Sequence, residues 1–171
     1  EEVQMRSTSG SFKIGKAIVR DLFEMGTISG SFEADNIEAQ KVKVESTTGT
    51  VTIKNAVAEK VTSTSISGAV QMNLQEGSAE MSTTSGEISV SFEKDFQKFK
   101  ANSESGSVTL KVPEDAGFKA EIKTVSGSID CKDFSLKILS SKKNHLEAEA
   151  GDRDSEIEVY TTSGSVSIKK N

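Results

Sequence analysis

One short phrase, Ser/Thr-Gly followed by an apolar residue two places on, recurs along the whole chain. It centres on Gly10, Gly30, Gly49, Gly68, Gly86, Gly106, Gly127 and Gly164. Successive intervals are 20, 19, 19, 18, 20, 21 and 37 residues, the last being about two periods. A period near 19 residues is the mark of a repeat architecture in which each unit buries its apolar face against its neighbours. It is too short for a strand–helix–strand crossover, which needs about 30 residues or more.

Alignment on the glycines shows what each unit is. Two residues after Gly come Phe12, Phe32, Val51, Val70, Ile88, Val108, Ile129 and Val166. The positions four after and seven before are also apolar in every unit, and five before only Ser63 departs from the rule. Intervening positions are mostly polar or charged, as with Lys41, Lys43 and Glu45 around Val42 and Val44. Period-2 alternation of this kind describes strands with one buried face. Each unit reads as strand, Ser-Gly corner, strand, connecting turn. The fold expected is all-β: a single-stranded β-helix, or β-solenoid, of about eight coils with an 18–21 residue repeat. Val51, Val70, Ile88, Val108 and Ile129 should stack in one internal ladder at the interstrand spacing of about 5 Å.

Hydroxyl residues occupy the positions three before and one before every glycine, from Ser7 and Ser9 to Thr161 and Ser163. Both share parity with the inward face. They are expected to fill a narrow corner and bond turn amides or one another. Glycine at the corner, Gly86 for example, is expected to supply a positive φ.

The repeat breaks over 134–156. Alternating segments there suggest a hairpin or a degenerate coil, with turns near 140–144 and 151–155; Gly151-Asp152 and Asp154-Ser155 favour the hairpin. The phenylalanines of 92–99 and the run 15–25 could each form a brief helical turn, but the repeat register favours strand and connector. Residues 1–171 are expected to be one domain, as a fragment of a longer protein.

Composition agrees with strands. Leu occurs 6 times against 14 Val and 12 Ile, which disfavours a helical bundle. A net charge of −5 argues against nucleic acid as a partner, since phosphate contacts need a basic face. A single Cys excludes an internal disulfide and a paired-cysteine zinc site. No apolar run reaches membrane-spanning length.

The recurring Thr/Val-x-Ser-Gly-Ser-Val/Ile-x-Ile phrase resembles the bacterial adhesin-like family of DUF4097-type β-solenoid repeat domains. Its final stretch, Gly151-Asp152, Ile157-Glu-Val159 and Thr161-Thr-Ser-Gly-Ser-Val-Ser-Ile168, is the closest match. The resemblance spans almost the whole chain and implies a rod associated with the cell envelope or surface, with no catalytic residues to carry over.

Candidate chemistry is sparse. His145, beside a Lys-rich run, reads as a solvated turn residue rather than a general base. Cys131 occupies a ladder position held elsewhere by Ile, Val and Leu and reads as a buried, inert thiol. Asp152, Asp154, Glu156 and Glu158 alternate and could share a face for Ca²⁺, but the pattern does not recur from coil to coil, so a solvated turn is the better reading. No catalytic, cofactor-binding or metal residue is therefore assigned, and no cofactor.

The expected function is a non-catalytic structural or binding rod of the bacterial cell envelope. Its partner would be a protein or an extended envelope polymer, and its place the cell surface or exterior. A sensory or regulatory domain of an envelope-stress protein, on the cytoplasmic face of the envelope, is the alternative. A β-helix carbohydrate-active enzyme ranks third. Self-association through the N-terminal edge coil is also expected, because an open coil exposes unpaired backbone groups.

Overall fold

The alternating segments become strands throughout the computed structural model, which describes residues 1–151 and 155–171. The first six turns each contribute two strands, beginning with β1 (Glu2–Ser9) and β2 (Phe12–Ile18). There follow β3 (Leu22–Ser29), β4 (Phe32–Glu38), β5 (Lys41–Thr48), β6 (Val51–Val57), β7 (Lys60–Ser67) and β8 (Val70–Leu74). Next come β9 (Gly77–Thr83), β10 (Ile88–Phe92), β11 (Phe96–Ser103) and β12 (Val108–Val112). The C-terminal part holds β13 (Phe118–Thr124), β14 (Ile129–Asp130), β15 (Lys137–Lys142), β16 (His145–Ala150), β17 (Ser155–Thr161) and β18 (Val166–Lys170). Among the described residues there is no helix, so the 15–25 and 92–99 runs are strand and connector.

The eight strands before the Ser-Gly corners stack, with β15 and β16 added at one edge, into a 10-stranded sheet, and those after the corners into an 8-stranded sheet. Pairing is parallel between successive turns, as in Val42↔Val61 and Val51↔Val70. The result is a two-faced β-solenoid with the core between the sheets. Eight coils in chain order are not what is built. Six turns wind in order, and the last two strand pairs then stack with their order exchanged. The final pair, β17 and β18, lies between the sixth turn and β13–β14: Phe99 faces Ile157, and Ala120 faces Ile157 from the other side.

This exchange corrects the expected ladder. Ile129 does not follow Val108; Val166 stands between them, paired to both. The physical reason lies in the long interval. After β14 the chain forms an antiparallel hairpin, β15–β16, whose β16 pairs with the outer edge of β13. The inner edge of β13 is left for β17. The hairpin expected over 134–156 is thus present, with its turn at 143–144; part of the 151–155 turn lies outside the described residues.

Between the sheets the inward positions are almost fully buried, Phe23, Phe32, Phe92, Phe99 and Phe118 being the largest side chains. Burying each such Val, Ile or Phe contributes about 1.5–3 kcal/mol. A lone turn has no opposing layer above and below, so stability comes from stacking.

At the corner the glycines form their own ladder. A Cβ on Gly30, Gly49, Gly68, Gly86, Gly106, Gly164 or Gly127 would strike the backbone carbonyl of the neighbouring turn's glycine. Close backbone approach, rather than dihedral freedom, therefore explains most of them. Positive φ occurs at Gly10, Gly30 and Gly49 among these corners, and Gly86, expected to need it, does not have it.

Candidate functional site

The two hydroxyl positions at each corner separate. The inner one is buried, from Thr27 and Ser46 to Thr124 and Thr161. The outer one, Ser9, Ser29, Thr48, Ser67, Ser85, Ser105, Ser163 and Ser126 in spatial order, is exposed. The expectation that both point inward is corrected for the outer row: the strand has already begun to turn, so parity with the core is lost. Nor do the inner hydroxyls bond turn amides. Ser103 Oγ donates to its own Gly106 carbonyl at 3.1 Å, and Thr27, Ser46, Thr83 and Thr161 have unpartnered buried Oγ atoms.

Between inner and outer hydroxyls lies a third row, which includes Ile28, Ile66 and Val125, each more than half exposed. Ile28 and Ile66 flank an open groove of about 480 Å³ that also touches Arg6, Gly26 and Glu45. Gly26 makes the groove, since the positions beside it in the same row are Arg6 and Glu45. This corner is therefore a long strip of hydroxyl and methyl groups repeated at the strand spacing.

The outward face of the larger sheet carries cross-turn ion pairs. Lys43 bridges Glu24 and Glu45, at 3.0 and 2.9 Å. On the smaller sheet Lys54 bridges Glu33 and Asp35, each at 2.7 Å, which raises its pKa above the ordinary lysine range. Such exposed pairs contribute little individually; they keep opposite charges in line along the rod.

The candidates read from sequence fall as follows. Cys131 is buried, and burial first of all pushes its thiol up to about 11, as an inert core thiol should be. Asp152 and Asp154 lie outside the described residues. Their companions Glu156 and Glu158 both contact Lys98 Nζ, at 3.0 and 2.6 Å. His145 is not a solvated turn residue. It opens β16, its side chain is only 23 % exposed, and it faces Glu147 at 3.1 Å and Glu121 at 3.9 Å. Glu121 stands directly opposite Glu147 across the β13–β16 pairing, and Lys123 opposite His145. The Lys123 ammonium, hydrogen-bonded to Glu121, holds that carboxyl below its usual range. His-x-Glu on one strand was visible in the sequence. Its convergence with Glu121 depends on an antiparallel register that no repeat spacing encodes.

The described residues include no helix long and apolar enough to cross a membrane. With the corner ladder, the paired sheets and the repeat in view, comparison with known proteins is decisive on one point. The family model described as Toastrack DUF4097 matches residues 1–169. The chain belongs to that family. Among solved structures it is similar to a crystal structure described as "a putative cell adhesion protein" from Clostridium sporogenes ATCC 15579. That likeness has 9 % identity and a TM-score of 0.33, and it covers 97 % of this chain and 92 % of the other. A superposition this loose transfers neither fold nor function. The family match spans every Ser-Gly corner of the chain.

Proposed function

We propose that this Toastrack domain is a non-catalytic binding rod of the bacterial cell envelope, acting at the cell surface on a protein or an extended envelope polymer. The exposed corner strip carries the reading. Hydroxyls from Ser9 to Ser126 and the methyl groups of Ile28, Ile66 and Val125 repeat along one edge. A partner with its own linear repeat can engage such a strip at many equivalent points, so weak contacts accumulate by multivalency. Co-sedimentation with purified envelope polymer and with isolated surface protein tests it. Placing arginine at Ser67, Ser85 and Ser105 together should abolish co-sedimentation while leaving the circular dichroism spectrum unchanged. Binding that survives this triple change, or turnover of the polymer, would sink the proposal.

The open first turn favours a second contact. β1 and β2 are edge strands of their sheets, and Val3, Met5, Phe12 and Ile14 are only partly covered. We propose that another strand pair, from a second copy, stacks there; sedimentation across concentration should show reversible dimerisation. A rod that stays monomeric with rapidly exchanging β1 amides would contradict it.

A further inference from the structure

The sheet that ends in the hairpin places three glutamates in one row. Glu147 on β16, Glu121 on β13 and Glu158 on β17 are direct cross-strand neighbours. Like charges directly opposite one another are destabilising, so the row needs cations. Lys98 and Lys100 reach Glu158, at 2.6 and 3.8 Å. The Glu121–Glu147 pair has Lys123 on Glu121 and an imidazole beside both carboxylates. His145 Nε2 is buried, lies 3.1 Å from Glu147 Oε1 and 3.9 Å from Glu121 Oε1, and makes no hydrogen bond.

We infer that His145, Glu121 and Glu147 form a binding site for a divalent first-row transition-metal ion, zinc being the type case. The ligand atoms of the three all lie within 4.8 Å of one another. Metal–ligand bonds of about 2.1 Å at the tetrahedral angle separate ligand atoms by about 3.4 Å, a value that the two His145 distances bracket, so the half-exposed carboxylates of Glu121 and Glu147 would draw together around the ion. One imidazole with two carboxylates suits zinc better than calcium, which wants oxygen ligands only. The fourth position would be left to water or to a partner's side chain. Lys123 is the competitor: its ammonium must leave Glu121 for the ion to bind.

His145 is the sole histidine, so its imidazole signals in an ¹H–¹⁵N spectrum are unambiguous. One equivalent of ZnCl₂ at pH 7.5 should move the Nε2 resonance, with a Kd at or below about 10 µM by calorimetry. His145→Ala and Glu147→Gln should each weaken binding at least about tenfold with unchanged melting temperature in the absence of zinc. Lys123→Met should strengthen it, which a purely structural ion network would not do. An unmoved His145 resonance, or zinc binding equal in wild type and His145→Ala, would overturn the assignment.

Discussion

The two parts of the rod use the same corner and the same inward residues but are assembled differently. Up to Val112 each strand's partner is the strand one turn away in sequence, as with Ile88 on Val70. On the far side of the sixth turn the rule stops: Phe99 pairs with Ile157, 58 residues distant, because the strand pair β17–β18 is slotted in between that turn and β13–β14. The first part can wind up turn by turn. The second cannot close until residues 155–171 arrive, so its loop-closure cost is met late. A repeat period thus determines the shape of a turn without determining the order in which turns stack.

Deletion should separate the parts most clearly. Removing residues 155–171 strips Ile157, Val159, Val166 and Ile168 from the core. At about 1.5–3 kcal/mol each, that rivals the whole stability of an ordinary domain. It also leaves β13–β16 with no neighbour toward the sixth turn. Hydrogen exchange should show residues 113–150 unprotected in that variant. Removing residues 1–20, whose apolar side chains are mostly half-covered, should lower the melting temperature only modestly and leave the C-terminal amides protected. Equal losses in the two deletions would refute the division.

The glycine ladder supplies the next contrast. Gly86→Val drives a branched side chain into the Gly68 carbonyl and should cost more than about 3 kcal/mol. A Cβ added at Gly15, on the edge strand β2, would meet nothing within 4 Å, and the backbone there has no positive φ. Gly15→Val should be neutral or stabilising by up to about 1 kcal/mol, since it restricts the unfolded chain and suits a strand. Glu87→Lys should stay within about 0.5 kcal/mol. Thermal denaturation of the three proteins ranks them.

Thiol chemistry probes the exchanged end. With its thiol pushed up to about 11 by burial, Cys131 should label slowly in the native protein at pH 8 and rapidly in denaturant. Fast native labelling would mean that the β14 end opens on its own.

Much of this was legible in the residues. Alternation around each glycine identified the strands and the inward face, because a period of 2 follows from backbone geometry alone, while the hairpin was favoured over a degenerate coil by the turn residues near 151–155. Stacking order was not legible, since Ile129 and Val166 are equally good neighbours for Val108. Nor was the outer hydroxyl row, whose side chains leave the core as the strand turns. The His145 site stayed hidden because Glu121 and Glu147 are 26 residues apart and meet only through the β13–β16 register.

The smallest effects concern hydroxyls inside the two parts. Ser63 sits in an apolar ladder between Val44 and Met81, and its Oγ is buried without a partner. An unsatisfied buried polar group costs about 1–3 kcal/mol, while Ser→Ala removes a single atom and leaves little void. Ser63→Ala should therefore raise stability by about 1 kcal/mol. Ser103, in the sixth turn against β17, is equally buried but donates to the Gly106 carbonyl at 3.1 Å. Ser103→Ala forfeits that bond and should lower stability by about 0.5–1.5 kcal/mol. Chemical denaturation with unchanged m-values would measure both. Two identical substitutions of opposite sign would locate the distinction in hydrogen bonding rather than in burial; a loss of stability at both would mean that the Ser63 hydroxyl finds a partner in solution.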